Sequence, residues 1–368
     1  MRKDIILGFI VILFTVFSAF SQEKYVPEEY FNIRIINNSN SIEIVGYIGG
    51  KTDVAIPPRI QNLPVTIIGY RAFFGNQLTS ISIPNGVTTI GDHAFARNNL
   101  TSVIILNSIT VIEMAVFWRN QLTDVTILCS ITKIGFGAFL ENRLTEVIIP
   151  NSVTTIEGNA FMRNNLTSVI IPDSVTIIGQ QAFGSNQLTE VIIPDSVTTI
   201  GDRAFGSNRL TSVIISNSVT AIGIGVFAQN RLTNVTIPNN VTTIGDFAFV
   251  NNRLTEVIIP DSVTTIGGSA WLDNHLTSVI IPNSVTTIGN RAFAQNYLID
   301  VTIPSGVATI GEQAFAQNRL TGVIIPNSVT IIGRQAFAGN RLISVIIPNN
   351  ITIIEDQAFD RNVTINRN

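Results

Sequence analysis

Leucine returns every 22 residues in this chain, from Leu78, Leu100 and Leu122 onward to Leu342, in 13 copies with no insertion or deletion between them. Residues 188–209, LTEVIIPDSVTTIGDRAFGSNR, show the unit at its most regular. A fixed period of this length marks a solenoid, in which each copy is one coil and buries its apolar face only by stacking on its neighbours. A chain of 368 residues would otherwise suggest two or three globular domains. The 45% of apolar residues is largely Ile and Val spread through the copies. It therefore reads as coil interior and not as membrane spans.

Numbering places from the leucine, places 1, 4 and 6 are Leu, Val and Ile, and proline follows at place 7 in 10 of 13 copies. The first piece reads as a strand with places 4 and 6 inward and places 3 and 5 outward. Proline ends it by withdrawing a ladder donor. A second extended piece, V-T-T-I, puts apolar residues at places 10 and 13, and glycine turns the chain at place 14. The piece D-R-A-F allows one helical or 3-10 turn and buries place 18. That place is Phe95, Phe117, Phe139 and so on to Phe359, with Trp271 as the single exception. Stacking makes it an aromatic spine. Place 21 is Asn in every copy, including Asn98, Asn120, Asn142, Asn164, Asn186 and Asn208. Such a column reads as a structural ladder, each amide bonding the backbone of its own and the next coil.

The first residues follow another logic. Arg2 and Lys3 precede the apolar run Ile5–Phe17, and Ala19 and Ser21 stand at cleavage-site spacing before Gln22. Residues 1–21 thus read as a signal peptide, too short in its apolar run for a comfortable span. Residues 22–55 form an N-terminal β-hairpin cap, with strands over Phe31–Ile36 and Ser41–Ile48, covering an otherwise open solenoid end. Residues 56–77 are an irregular first repeat, 78–363 are the thirteen full copies and 364–368 a tail.

The pattern L-x-x-V-x-I-P-x-x-V-x-x-I-G-x-x-A-F-x-x-N resembles the BspA-type bacterial leucine-rich repeats over about 56–363. Many repeats of that family carry cysteine at place 21, where this chain has asparagine. The resemblance implies a curved solenoid with a parallel sheet on its concave side, export to the cell surface, and adhesion to host matrix or to other cells.

Nothing in the pattern points to catalysis or to a cofactor. His93 and His275 lie in distant coils, and no zinc-protease, nucleophile-elbow, P-loop or calcium-loop motif appears. A lone cysteine, Cys129, gives neither an intrachain disulfide nor a cysteine metal site. The net charge of −3 gives no footprint for nucleic acid or anionic lipid.

The outward places carry more. Place 5 is isoleucine at Ile104, Ile148, Ile170, Ile192, Ile214, Ile258, Ile280, Ile324 and Ile346, beside carboxylates at Glu146, Glu190 and Glu256. An apolar row rimmed by carboxylates on a concave sheet suits a protein or glycoprotein partner, host extracellular matrix among them. Strand propensity and copying of one repeat explain the same isoleucines without any ligand. Two copies stand apart: they lose proline at Leu106 and Leu128 and carry Met114, Trp118, Cys129 and Phe136 where polar residues usually sit. They form a second, irregular patch, and an exposed Cys129 could crosslink two chains. The arginines at place 22, such as Arg209 and Arg231, read as a solvated edge. The doubled threonines at places 11 and 12 should face opposite ways and so form no flat lattice. The sequence therefore predicts a non-catalytic binding protein at the cell surface, in the extracellular space or in the periplasm. The alternative is a self-assembling component of the envelope or matrix.

Overall fold

The computed structural model describes residues 25–36, 38, 40–128 and 130–367. The signal peptide read at 1–21, the thiol of Cys129 and the end of the tail at Asn368 lie outside the described residues. The chain winds into a β-solenoid of about fifteen coils with parallel sheets and almost no helix. The one helical segment among the described residues is the 3-10 turn Glu28–Tyr30.

The coils turn places 1, 4, 6, 10, 13, 17 and 18 inward, represented by the buried Leu188, Val191, Ile193, Val197, Ile200, Ala204 and Phe205, with a few such as Val169 and Val279 only partly buried. Outward places separate them, so the pattern closes a flattened tube whose interior is hydrocarbon. From Phe73 to Phe359 successive rings stack with centroids 5.1–6.0 Å apart and planes within 23° of parallel. Trp271 fits the column between Phe249 and Phe293, at 5.9 and 5.1 Å, although its indole N–H is buried without an acceptor.

Two rows of strands run along the tube. The first, at places 3–6, is interrupted. Ser102–Ile105 pairs Asp124–Ile127, and Glu190–Ile192 pairs Ser212–Ile214, while single bridges such as Ile148↔Ile170 and Ile258↔Ile280 hold the intervening coils. The second row, at places 12 and 13, makes the longer sheets. It runs from Val111–Ile112 to Thr199–Ile200 and again from Ala221–Ile222 to Ile353–Ile354, with residues paired 22 apart. Proline at place 7 shortens the first row from one end. The second row is flanked by glycine at place 14, where neighbouring coils come close. A Cβ on Gly245 would stand 2.8 Å from the carbonyl carbon of Gly223.

The piece D-R-A-F is neither helical nor 3-10. Two tight turns follow one another, and places 16 and 20 are left-handed in coil after coil, as in His93 (φ 58°) and Arg97 (φ 58°). Non-glycine residues pay roughly 1–2 kcal/mol for this conformation. It is offset by what it permits, since alternate backbone N–H groups then reach the next coil: His93 to Met114 O, Phe95 to Val116 O, Arg97 to Trp118 O, at 2.7–3.0 Å. On the strand rows the donors run both ways, as in Gly91 to Ile68 O in the preceding coil and Ile193 to Ile214 O in the following one.

The N-terminal hairpin does more than cover an end. Ser41–Tyr47 pairs antiparallel with Phe31–Ile36 and parallel with Leu63–Ile68, so it is already a rung of the second row. Tyr47 stacks on Phe73 at 5.5 Å and begins the spine, and Asp53–Ala55 pairs Ser80–Ser82 as the first rung of the other row. Phe31 lies across both rings as the lid, 5.6 Å from Tyr47 and 6.3 Å from Phe73.

Candidate functional site

The isoleucines at place 5 stand out from the first strand row. Ile148, Ile170, Ile192 and Ile214 are 61–83% exposed, and Ile258 and Ile280 are at least 80% exposed, whereas the alternate residues Val147 and Ile149 are under 10%. Four successive coils thus carry an unbroken apolar strip about 15 Å long at ~4.8 Å per coil. Thr126 and Thr236 interrupt the row on either side of it.

Carboxylates flank the strip on both sides. Glu146, Glu190 and Glu256 at place 3 are exposed, and so are Asp173, Asp195 and Asp261 at place 8, beyond the proline. The four ion pairs among the described residues all lie elsewhere, so these six carboxylates face solvent without a basic partner from this chain.

The irregular patch sits on a different face. Trp118 is at place 19 of the turn face, half-buried beneath Arg97 and Arg119, whose guanidinium carbons lie 5.0 and 4.8 Å from the ring. Phe136 is exposed at place 15, with its backbone N–H bonded to Glu157. The structure therefore does not bring Trp118 or Phe136 to the isoleucine row. It brings to Trp118 residues that sequence reasoning passed over. Arg71 lies over Tyr70 and Phe74, Arg97 also reaches Phe74, and His93 meets Trp118 edge-on at 6.0 Å. Burial, then the Arg71 charge, holds the His93 imidazole below its ordinary pKa. Alongside, Glu141 takes Arg119 at 2.5 Å and Arg163 at 2.8 Å. Burial pushes that carboxyl up, and the two arginine hydrogen bonds outweigh it, so its pKa lies below the usual value. Only the drift from consensus at Trp118 hinted at this cluster, because its other members occupy places where polar residues are ordinary.

The asparagine column makes a ladder, with a direction opposite to that expected. Asn208 donates to Phe205 O in its own coil and to Phe183 O in the preceding one, and its Oδ1 accepts from Leu188 N, at 3.0–3.1 Å. Asn98, Asn120, Asn142, Asn164 and Asn186 repeat the arrangement. The bonds run to the preceding coil because the place-18 carbonyl points forward, to where the turn brings no backbone donor.

The threonines also depart from expectation. Places 11 and 12 both face outward in pairs such as Thr198 and Thr199, because the strand is only two residues long and place 11 lies outside its pleat. The place-11 hydroxyls are committed to the preceding coil, as Thr176 donates to Thr154 O at 3.3 Å.

Among the described residues no cluster of His, Cys, Asp and Glu could hold a metal ion, and no helix is long and apolar enough to cross a membrane.

A family model described as a BspA-type leucine-rich repeat region matches residues 58–166, 154–275 and 264–367. No curated protein matches at a significant level. Among solved structures, a leucine-rich cell surface protein from Faecalibacterium prausnitzii is 25% identical, over 94% of this chain and 95% of its own, with a TM-score of 0.56. The pneumococcal vaccine antigen PcpA is 17% identical over 92% and 96%, with a TM-score of 0.55. A leucine-rich-repeat protein from Eubacterium ventriosum is 21% identical over 85% and 93%, with a TM-score of 0.50. The last two likenesses concern the fold alone.

Proposed function

The chain belongs to the BspA-type leucine-rich-repeat family, and from that premise we propose that it is an exported, non-catalytic binding protein of the cell surface. It serves adhesion or protein–protein interaction, and its partner is a protein or glycoprotein. The observation that carries this reading is the isoleucine strip at Ile148–Ile214, exposed on strands whose alternate residues point into the core. Contiguous apolar surface edged by polar groups is what a macromolecular interface requires. The unpaired carboxylates at places 3 and 8 add a selection rule: the partner carries an apolar ridge flanked by basic groups. The likeness to a cell surface protein, over 95% of that protein's chain, supports the location.

The test is a binding screen of the purified chain against host matrix proteins, beside a variant with Ile148, Ile170, Ile192 and Ile214 changed to Thr. Threonine keeps the strand preference and removes the apolar strip. A ligand that the parent holds and the folded variant loses by at least roughly tenfold supports the reading. Equal binding by both sinks it. Concentration-dependent growth in light scattering without any ligand, abolished in the variant, would instead favour self-assembly through the same strip.

A further inference from the structure

The turn face carries a feature that the isoleucine row does not explain. Where place 19 is small, two open troughs run along the solenoid, of about 380 Å³ over residues 181–251 and about 260 Å³ over residues 272–339. Gly184, Gly206 and Ala228 floor the first, and Ala294, Ala316 and Ala338 floor the second. The walls are places 16 and 20. They carry amides and hydroxyls with just two charged groups, Arg203 in the first trough and Arg291 in the second, and the exposed ring of Phe247 also lines the first. No carboxylate lines either trough, in a chain with 25 acidic residues and a net charge of −3.

One wall is already fixed in place. Arg291 Nε donates to Gln313 Oε1 at 2.6 Å, Gln313 Nε2 to Gln335 Oε1 at 2.5 Å, and Gln335 Nε2 to Gln357 Oε1 at 2.9 Å. In the other trough Ser207 donates to Gln229 at 2.6 Å. Each amide keeps a second N–H and a second lone pair for a ligand, and its rotamer freedom is largely spent before binding.

We propose that these troughs bind a linear polysaccharide bearing carboxylate groups. The lining matches a ligand rich in hydroxyls, since amides and hydroxyls both donate and accept. Arg203 and Arg291 meet its acid groups, and no resident carboxylate repels them. An extended peptide fits less well, because it would need free main-chain donors or acceptors. Here they are used from coil to coil: Gln313, Phe315 and Gln317 donate to Arg334, Ala336 and Ala338.

The experiment uses the full chain, with polygalacturonate, dextran and polyglutamate as probes. Place 19 already accommodates Trp118, so the double variant Ala228→Trp, Ala316→Trp is expected to fold and to plug both troughs. The expected result is salt-sensitive binding of polygalacturonate, with dextran at least roughly tenfold weaker. The plugged variant and an Arg203→Gln, Arg291→Gln variant should each lose about tenfold in affinity at unchanged melting temperature. The four-isoleucine threonine variant should bind as the parent does, which keeps failure here separate from failure of the adhesion reading. Absence of polygalacturonate binding, equal binding by the plugged variant, or equal binding of dextran or polyglutamate overturns the proposal.

Discussion

Between Tyr70 and Arg163 the turn face is crowded with Arg71, Phe74, Arg97, Trp118, Arg119 and Glu141, in ring–cation stacks and shared ion pairs. Between Gln181 and Gly339 the same places hold chiefly glycine, alanine, serine and glutamine over open troughs, with Arg203, Phe247 and Arg291 among them. Beneath both lies one core, with the same stacked rings and the same asparagine bonds. Stacking constrains only the inward places, because an inward change is felt by both neighbouring coils. Outward places can change chemistry along the tube while the backbone stays in register. The two regions are one scaffold with two surfaces.

The largest effects should ignore the boundary between them. Phe117→Ala in the crowded region and Phe227→Ala in the open one should each cost about 3–5 kcal/mol. Their denaturation midpoints should fall together, and a clear difference would mean that the cores are not equivalent. Next, Asn120→Ala and Asn208→Ala should each cost about 1–3 kcal/mol by stranding a leucine N–H and taking one of two donors from each of two carbonyls. A melting shift within noise at either position would remove the column's structural role. The smallest effect should respect the boundary. Glu141→Gln should destabilise by under about 1 kcal/mol, because its arginine partners are half exposed. Glu141 is more acidic in the fold than its ordinary value of 4.5, so the unfolded chain binds the proton first. Its contribution is therefore present above about pH 4.5 and fades as the pH falls below that. Parent and variant melting curves should converge in acid. A gap that stays constant from pH 3 to pH 7 would argue against the ion pairs.

The coil architecture was legible because thirteen copies report one phase, so weak preferences at Val191 or Ile200 add to a strong pattern. The exposure of Ile148 and Ile170 followed from strand alternation alone. Left-handed backbone did not show, because places 16 and 20 hold residues such as Arg97, Gln313 and Phe247 instead of the glycine or asparagine that usually signal it. The direction of the Asn208 bonds was hidden for the same reason, since it depends on where those turns leave the Phe183 carbonyl. Tyr47 was missed as a spine member because its segment lacks the repeat. The troughs depend on what Ala316 and Gly206 leave empty, and emptiness has no sequence motif.

Hydrogen bonding between coils has one more consequence. Peptide dipoles aligned along a helix add up and place partial charges at its ends. In this tube the donors that leave the turn face point toward the following coil, as in Phe95 to Val116 O, while strand-row donors run both ways, as in Gly91 to Ile68 O and Ile193 to Ile214 O. The axial components therefore add along the turn face and largely offset one another along the strand rows. Polarity between the two ends of the tube gathers on one face.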